Sequence, residues 1–566
     1  MTPKKSFKST AVLTPCALAC AAFLAGCGGG SDDSPEHTTA QLHDKVQNVV
    51  VIYAENRAFD NLFGNFPGAN GLGNIVDAQG KPTAAYVPQK DRDGNTVLPT
   101  LPQTWGGVTM PGQAQTVTQA QSAGLPNAPF SAETAFVKTA GVTLNSNTVT
   151  RDLYHRFFEN QMQINGGKND MFAAWADAGG LTMGHFDYSQ SGLYKLAQQY
   201  VLADNFFEGA FGGSFLNHQY LICACAPEYA NADTAAAKPT IAVLDTDAQG
   251  AYLPKLSLAA ASPASAMDGP PRFVRSGNIT PANYFGDGKF YAVNTMQPAY
   301  QPSGNTPVAG GANSDLLYAT TASATTLPPQ TTQNIGDLLS AKGVSWAWYS
   351  GSWDAALADG ARDPSAKRSV IYAGDANGVS STAAVDFQPH HQPFNYYANM
   401  DPVKNADQRK AHLQDYNNLV AQAAAGTLPS VAFYKPEGLY NQHEGYANLA
   451  DGDAKITDLV QKLQASPQWK NMVIVITYDE FGGVWDHVAP PKGDLMGPGT
   501  RIPAIVVSPL AKKGTVDHTQ YDTASILRLI TRRFDLATLP GLKKRDDALQ
   551  AHGQPAMGDL TNALAL

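Results

Sequence analysis

Charge is scarce in this chain. Asp, Glu, Lys and Arg make up 15% of its 566 residues, against about 25% in an average soluble domain. What charge there is leans acidic, with 39 basic and 48 acidic side chains and a net charge of −9. That balance argues against non-specific nucleic-acid binding, which needs a basic surface. Cysteine is rarer still, at five residues, so neither a disulfide scaffold nor a multi-cysteine zinc module is expected. No apolar run reaches the roughly 18 residues of a membrane-spanning helix. No internal repeat of about 20–50 residues is present, which argues against a solenoid or propeller.

A core is nevertheless affordable, because 43% of the residues are hydrophobic and disorder of the whole chain is excluded. With 51 Gly and 37 Pro the chain reads as loop-rich. Its length suggests several domains, although α/β enzymes often exceed that rule as one.

The first residues read as an address. Lys4, Lys5 and Lys8 precede a short apolar stretch from Ala11 to Leu24, and Leu24-Ala25-Gly26-Cys27 resembles the lipobox of bacterial lipoproteins. The expectation is a signal at 1–26, lipidation of Cys27, a flexible tether at 27–44, and export to the outer membrane or periplasmic side. Ordinary cleavage near Gly26 is the alternative. Loss of 1–26 removes three lysines and no acid, taking the charge from −9 to −12. It also leaves only Cys223 and Cys225 besides Cys27. A spacing of two seldom makes an unstrained disulfide, so two free thiols are expected.

Five short apolar runs read as buried strands: Asn48 to Tyr53, Val344 to Tyr349, Ser430 to Tyr434, Met472 to Thr477 and Ile502 to Ser508. Amphipathic segments at Arg151 to Gln163, Gly192 to Asp204, Thr332 to Lys342, Ala406 to Ala425, Ala454 to Gln464 and Thr519 to Phe534 alternate with them. That order predicts an α/β fold with a doubly wound, mostly parallel sheet. Residues 67–149 and 226–330 break the pattern and read as loop-rich insertions, either roofing the active edge or decorating the surface.

Four segments carry chemistry. The first strand delivers Glu55 and Asn56 at its carboxyl end, where open α/β sheets bind ligands. A carboxylate beside an amide suits a hard divalent cation; a turn or cap is the plainer reading. A later strand ends in Asp479-Glu480, followed by Gly482-Gly483 and Asp486-His487. Two adjacent acids repel each other and are costly to bury without a cation. Ser214 follows two glycines in GGSFLNHQ. This is not the GxSxG elbow of acyl hydrolases, and it reads either as a turn or as a metal-activated hydroxyl. His155, His390, His391 and His443 lie in Pro-, Gly- and Asn-rich loops. As a group they can bind an oxyanion and protonate a leaving group.

Together, ENRAFDNLFG, NGGKNDMF, LADNFFEGAFGGSFLNHQ, NQHEGY and YDEFGGVWDHVAPP resemble the bacterial phosphoesterase family of phospholipases C and acid phosphatases, within the alkaline-phosphatase-like superfamily. HRFFENQMQINGGKNDMF, GGSFLNHQ and the paired histidines are most similar to its respiratory-burst-inhibiting acid phosphatase branch. The resemblance implies one divalent metal, Ca, Mg, Mn or Zn, held by Glu55, Asn56, Asp479, Glu480 and Ser214. Ser214 is then also the nucleophile. It implies that Asn56, His155, His391 and His443 contact the phosphoryl group or leaving group, with His390 beside them. Asp486-His487 is left between a second metal site and a loop tie.

The phospholipase branch typically carries Thr at the nucleophile position, and its larger members append C-terminal β domains. Ser214 departs from the first and no room is expected for the second, so the resemblance implies an acid phosphatase hydrolysing phosphate monoesters through a phosphoserine. A phospholipase C is the alternative, and a non-catalytic binding lipoprotein a further one. A sulfatase would need a C/S-x-P-x-R context, which Ser214 lacks.

Overall fold

The apolar runs become the middle of one sheet. The computed structural model describes residues 35–308, 315–372 and 387–566. Its main sheet has eight strands, numbered here in chain order. They are β1 (Asn48–Ala54), β2 (Val201–Ala203), β3 (Trp346–Ser350), β4 (Leu413–Asp415), β5 (Val431–Lys435), β6 (Met472–Tyr478), β7 (Ala504–Val507) and β8 (Thr515–Asp517). Their spatial order is β4-β3-β5-β1-β6-β7-β2-β8. β7 pairs antiparallel with both neighbours, and all the other pairings are parallel. The sheet is thus mostly parallel, as expected. Every residue of β1 and β6 is buried, the pattern of strands covered on both faces, and Val- and Ile-rich sequences suit that position.

Helices cover the sheet in two contacting groups. Gly192–Gln199, Tyr416–Ala425 and Leu449–Gln464 form one, and Pro35–Lys45, Ser214–Cys223, Ile335–Ala341 and Ala524–Arg533 the other. Two expected helices are interrupted. The segment from Ala406 splits at β4, because the Asp415 carboxylate accepts the Asn417 N–H at 3.0 Å and starts a new helix as its cap. The segment from Gly192 stops at Gln199 and turns into β2. β2, β4 and β8 are three residues each, too short to show a period.

The insertions are packed rather than loose. Leu98, Leu101, Phe136 and Leu144 in the first, and Leu256, Ile279, Val293 and Met296 in the second, are buried in the common core. Arg92 ties the two together, donating to the carbonyls of Pro263 (2.6 Å) and Gly269 (2.6 Å).

Two expectations are corrected. Residues 35–44 of the expected tether belong to the helix Pro35–Lys45, whose Leu42 is fully buried against the body; Cys27 and the signal lie outside the described residues. Cys223 and Cys225 form a disulfide rather than free thiols. Ala224 adopts a left-handed φ of 50° at the end of helix Ser214–Cys223. This brings the two Cα atoms to 5.1 Å, inside the usual range for a bridge. Among the described residues no helix is long and apolar enough to cross a membrane.

Candidate active site

The register of the central strands assembles the site. Ala54 of β1 pairs with Tyr478 of β6, so Glu55 and Asp479 leave adjacent strands at the same level. The Asn56 N–H donates to Asp479 Oδ1 at 3.0 Å, and Asn56 takes a φ of 61°, a conformation that Asn tolerates better than most residues.

Ser214 opens helix Ser214–Cys223, whose first-turn N–H groups have no partner within the helix and favour an anion there. Its hydroxyl lies 3.2 Å from Glu55 Oε2 and 3.3 Å from Glu480 Oε1. The Asn56 amide joins them. Its side-chain oxygen lies 3.3 Å from the Ser214 hydroxyl, on the side of the carboxylates.

The glycines make this closeness possible. A Cβ on Gly213 would stand 2.7 Å from the His155 carbonyl oxygen, and one on Gly482 would stand 2.3 Å from that of Asn56. Neither distance is tolerable, so any larger residue would force apart the segments that carry the site.

The histidines converge as expected. His391 Nε2 lies 2.7 Å from Glu55 Oε1, His155 Nε2 3.7 Å from Glu480 Oε1, and His443 Nε2 3.9 Å from Glu55 Oε2. A cavity of about 700 Å³ opens above Ser214, walled by His155, His390, His443, Arg151 and Arg156. The second insertion contributes Asn278 and Asn294 to it, so that insertion does roof the site.

Two buried groups were missed. Lys435, at the end of β5, contacts Glu55 Oε1 and lies 3.8 Å from Asp479 Oδ2. His218 donates to the Ser214 carbonyl at 2.7 Å and stacks on His391 with centroids 5.1 Å apart. Both had a signal. Lys435 directly follows a buried run, as Glu55 does, and His218 is four residues from Ser214 on one helix face.

Burial and charge pull these groups apart. Burial pushes Asp479 well above the usual carboxylate range, with Glu55 adding to the rise. Burial likewise raises Glu480, helped by Asp479. For Glu55, burial acts upward but is outweighed by His391 and Lys435, and its carboxyl is held low. Burial draws His391 down to about 4 and also lowers His155, His390 and His443.

Three fully buried carboxylates thus share one small volume. Asp479 Oδ2 has no hydrogen-bond partner there, and the single ammonium of Lys435 faces all of that charge. A buried anionic set of this kind is costly unless a cation joins it. With the Asn56 amide and Ser214 hydroxyl it forms a hard-oxygen donor set that fits a divalent ion.

Asp486 and His487 belong to a different cluster. Arg501 lies 3.0 Å from Asp486 Oδ1 and 3.1 Å from Asp60 Oδ1, and His487 Nδ1 lies 2.6 Å from Asp60 Oδ2. Because the arginine already supplies a cation, this arrangement favours a loop tie over a second metal.

Comparison with known proteins is consistent in direction. The Phosphoesterase family model matches residues 46–537. Non-specific phospholipase C6 of Arabidopsis thaliana is 32% identical over 146 residues, 20% of this chain and 28% of that protein. Phospholipase C B of Mycobacterium tuberculosis (strain CDC 1551 / Oshkosh) is 28% identical over 170 residues, 26% and 31% of the two chains. The chain thus spans under a third of the length of these two curated relatives. A solved alkaline phosphatase superfamily protein from Vibrio parahaemolyticus is 9% identical over 66% of this chain and 64% of that one, with a TM-score of 0.28, too distant to argue from.

Proposed function

Because the chain belongs to the Phosphoesterase family, we propose that it hydrolyses phosphate esters at Ser214, through a phosphoserine, with one divalent metal. The observation that carries this reading is the placement of the Ser214 hydroxyl. It stands at a helix N-terminus, 3.2–3.3 Å from two buried carboxylates, on the floor of a histidine-walled cavity.

Glu55, Asn56, Asp479, Glu480 and Ser214 would hold a divalent ion, which would supply Lewis acidity and lower the serine pKa. The residues do the rest. As the Ser214 Oγ–P bond forms and the ester P–O bond breaks, Glu55 or Glu480 accepts the hydroxyl proton. The helix N-terminus and Asn56 face the charge that grows on the phosphoryl oxygens. One of His155, His390, His391 and His443 returns a proton to the leaving oxygen. Water then forms a bond to phosphorus as Oγ–P breaks, the histidine taking a proton from the water and the carboxylate returning its proton to Oγ, which releases phosphate and restores Ser214.

Within this reading we favour phosphate monoesters and an acidic optimum, on the strength of the motif resemblance. Phospholipase C is the second reading, favoured by the names of the relatives. Comparing nitrophenol release from its phosphate monoester with diacylglycerol release from phosphatidylcholine separates the two. The metal's identity is read by elemental analysis. Lipidation of Cys27 and outer-membrane placement belong to the same proposal, and radiolabelled palmitate on the full chain but not on Cys27→Ser tests them.

The central test is Ser214→Ala. It is expected to leave less than about 1% of the rate, and acid-quenched wild-type turnover is expected to yield a phosphorylated Ser214 peptide. Near-normal turnover by the variant would sink the assignment.

A further inference from the structure

Glu55 turns its two oxygens to different neighbours. Oε2 faces the Ser214 hydroxyl. Oε1 points the other way, against the Lys435 ammonium and 2.7 Å from His391 Nε2. The same ammonium lies 3.8 Å from Asp479 Oδ2. Glu55, Asp479 and Lys435 are fully buried, and His391 is nearly so.

Glu55 Oε1 is shared between Lys435 and His391 Nε2, and Asp479 Oδ2 has no hydrogen-bond partner, with the ammonium 3.8 Å away. Donor atoms of Glu55, His391 and His218 also come within 4.8 Å of one another. Buried carboxylate oxygens beside imidazole nitrogens form the mixed O/N set that transition metals and zinc prefer. An ammonium sits among them instead.

We propose that Lys435 stands in for a second metal ion: it occupies the Glu55–Asp479–His391 side of the centre with a fixed positive charge and limits the site to one divalent ion. This rests on the metal-dependent reading above. The charge count agrees with it. Glu55, Asp479 and Glu480 carry −3 when ionised, Lys435 brings this to −2, and one divalent ion completes neutrality.

The ammonium is held for that task. It donates to the Ala54 carbonyl at 3.4 Å and lies 5.4 Å from the centre of the Tyr53 ring, a favourable cation–π distance. By engaging Oε1 it keeps Oε2 directed at Ser214, so Lys435 is a positioning residue that acts through Glu55. Methionine is close in volume to lysine but uncharged. Replacing Lys435 with it leaves three carboxylates and the His391 imidazole facing a neutral side chain, and opens the second place.

The test is metal stoichiometry of the purified full-length protein, stripped with a chelator and reloaded with Co²⁺ or Zn²⁺. Bound metal is counted by elemental analysis after gel filtration. Wild type is expected to hold one ion per chain. Lys435→Met is expected to hold two, the added Co²⁺ giving visible absorption that disappears in Lys435→Met/His391→Gln. Two ions in wild type, or one in the methionine variant, would overturn the proposal. If that variant does not fold, Lys435→Gln and the wild-type count still decide it. A wild-type chain that binds no metal refutes the metal-dependent reading itself, and the proposal with it, which separates that failure from the others.

Discussion

Gly213→Ala isolates one geometric requirement of the site. Gly213 has an ordinary φ of −86°, so alanine strains no backbone angle there. The added Cβ, however, falls 2.7 Å from the His155 carbonyl oxygen, and about 0.7 Å of separation is needed to reach an ordinary 3.4 Å contact. Neither side yields easily. One is the first residue before helix Ser214–Cys223, and the other is backbone that leads into buried Phe157 and Phe158. Overpacking of this kind costs about 1–3 kcal/mol, offset in part by roughly 0.4–1 kcal/mol from a stiffer unfolded chain. The larger effect falls on rate, because the displacement lies between the proposed nucleophile and His155. A misplacement near 1 Å can cost about 10²-fold, so kcat should fall by roughly 10- to 100-fold while the protein stays folded. The assay is steady-state hydrolysis of p-nitrophenyl phosphate beside urea unfolding of the same preparation. Gly212→Ala is the harsher comparison, since its φ is +88° and its Cβ would meet the Phe157 nitrogen at 2.3 Å. If Gly213→Ala keeps kcat within about twofold of wild type, the close approach of His155 to Ser214 has no part in the chemistry.

Three further outcomes are expected. Asp479→Asn should lose metal and activity together, and full metal content with full activity would contradict its role as a ligand. Arg501→Met should destabilise the fold by about 3–5 kcal/mol, because it leaves Asp60 and Asp486 buried without their cation; a urea-unfolding loss under about 1 kcal/mol would remove Arg501 as the tie of that loop. Asp359 accepts N–H groups from Ser369, Val370 and Ile371 at 3.0–3.1 Å. Although burial acts upward, these bonds hold its carboxyl below the ordinary value. Its stabilisation is therefore present above the unfolded aspartate pKa of about 3.9 and disappears as pH falls through the lower folded value. The urea midpoint of Asp359→Asn should trail wild type at pH 7 and approach it as pH falls below the ordinary aspartate range, and a gap independent of pH would refute the assignment.

The sheet was legible wherever a strand was long enough and buried on both faces. NVVVIY and MVIVIT announce themselves by composition, and their neighbours in the sheet do so only slightly less. β2, β4 and β8 did not, because three residues carry no period, and β2 and β4 also adjoin helices whose amphipathic pattern hides them. The site was legible in its carboxylates and serine for a related reason. Polar residues directly after a buried run mark the ligand edge of such a sheet, and Glu55, Asp479 and Glu480 all sit there. Lys435 obeys the same rule, yet a lysine before proline reads as an ordinary strand end until the neighbouring strands are known. The Cys223–Cys225 bridge was illegible because it depends on the left-handed turn at Ala224, a residue that rarely adopts one. Asp486 and His487 resembled a metal pair until the fold brought Arg501, fifteen residues on, into the same cluster.

The charge of the whole chain and the charge of the site point in opposite directions. A net −9 repels a phosphate ester, but salt screens that repulsion beyond about 8–10 Å. Inside that distance the local groups decide. Arg151 and Arg156 stand on the cavity wall, and Arg156 is fixed there by the carbonyls of Ser276 (2.7 Å) and Gly277 (3.2 Å) and by Asn278 Oδ1 (2.9 Å). The N-terminus of helix Ser214–Cys223 adds partial positive charge at the serine itself. Behind it the balance reverses, with Glu55, Asp479 and Glu480 facing Lys435. The centre is therefore layered, with positive groups where a phosphoryl anion enters and an anionic pocket beneath that calls for a cation. Ser214 lies at the boundary, which is where the proposed nucleophile must sit to lose its proton to the carboxylates below and attack phosphorus from above.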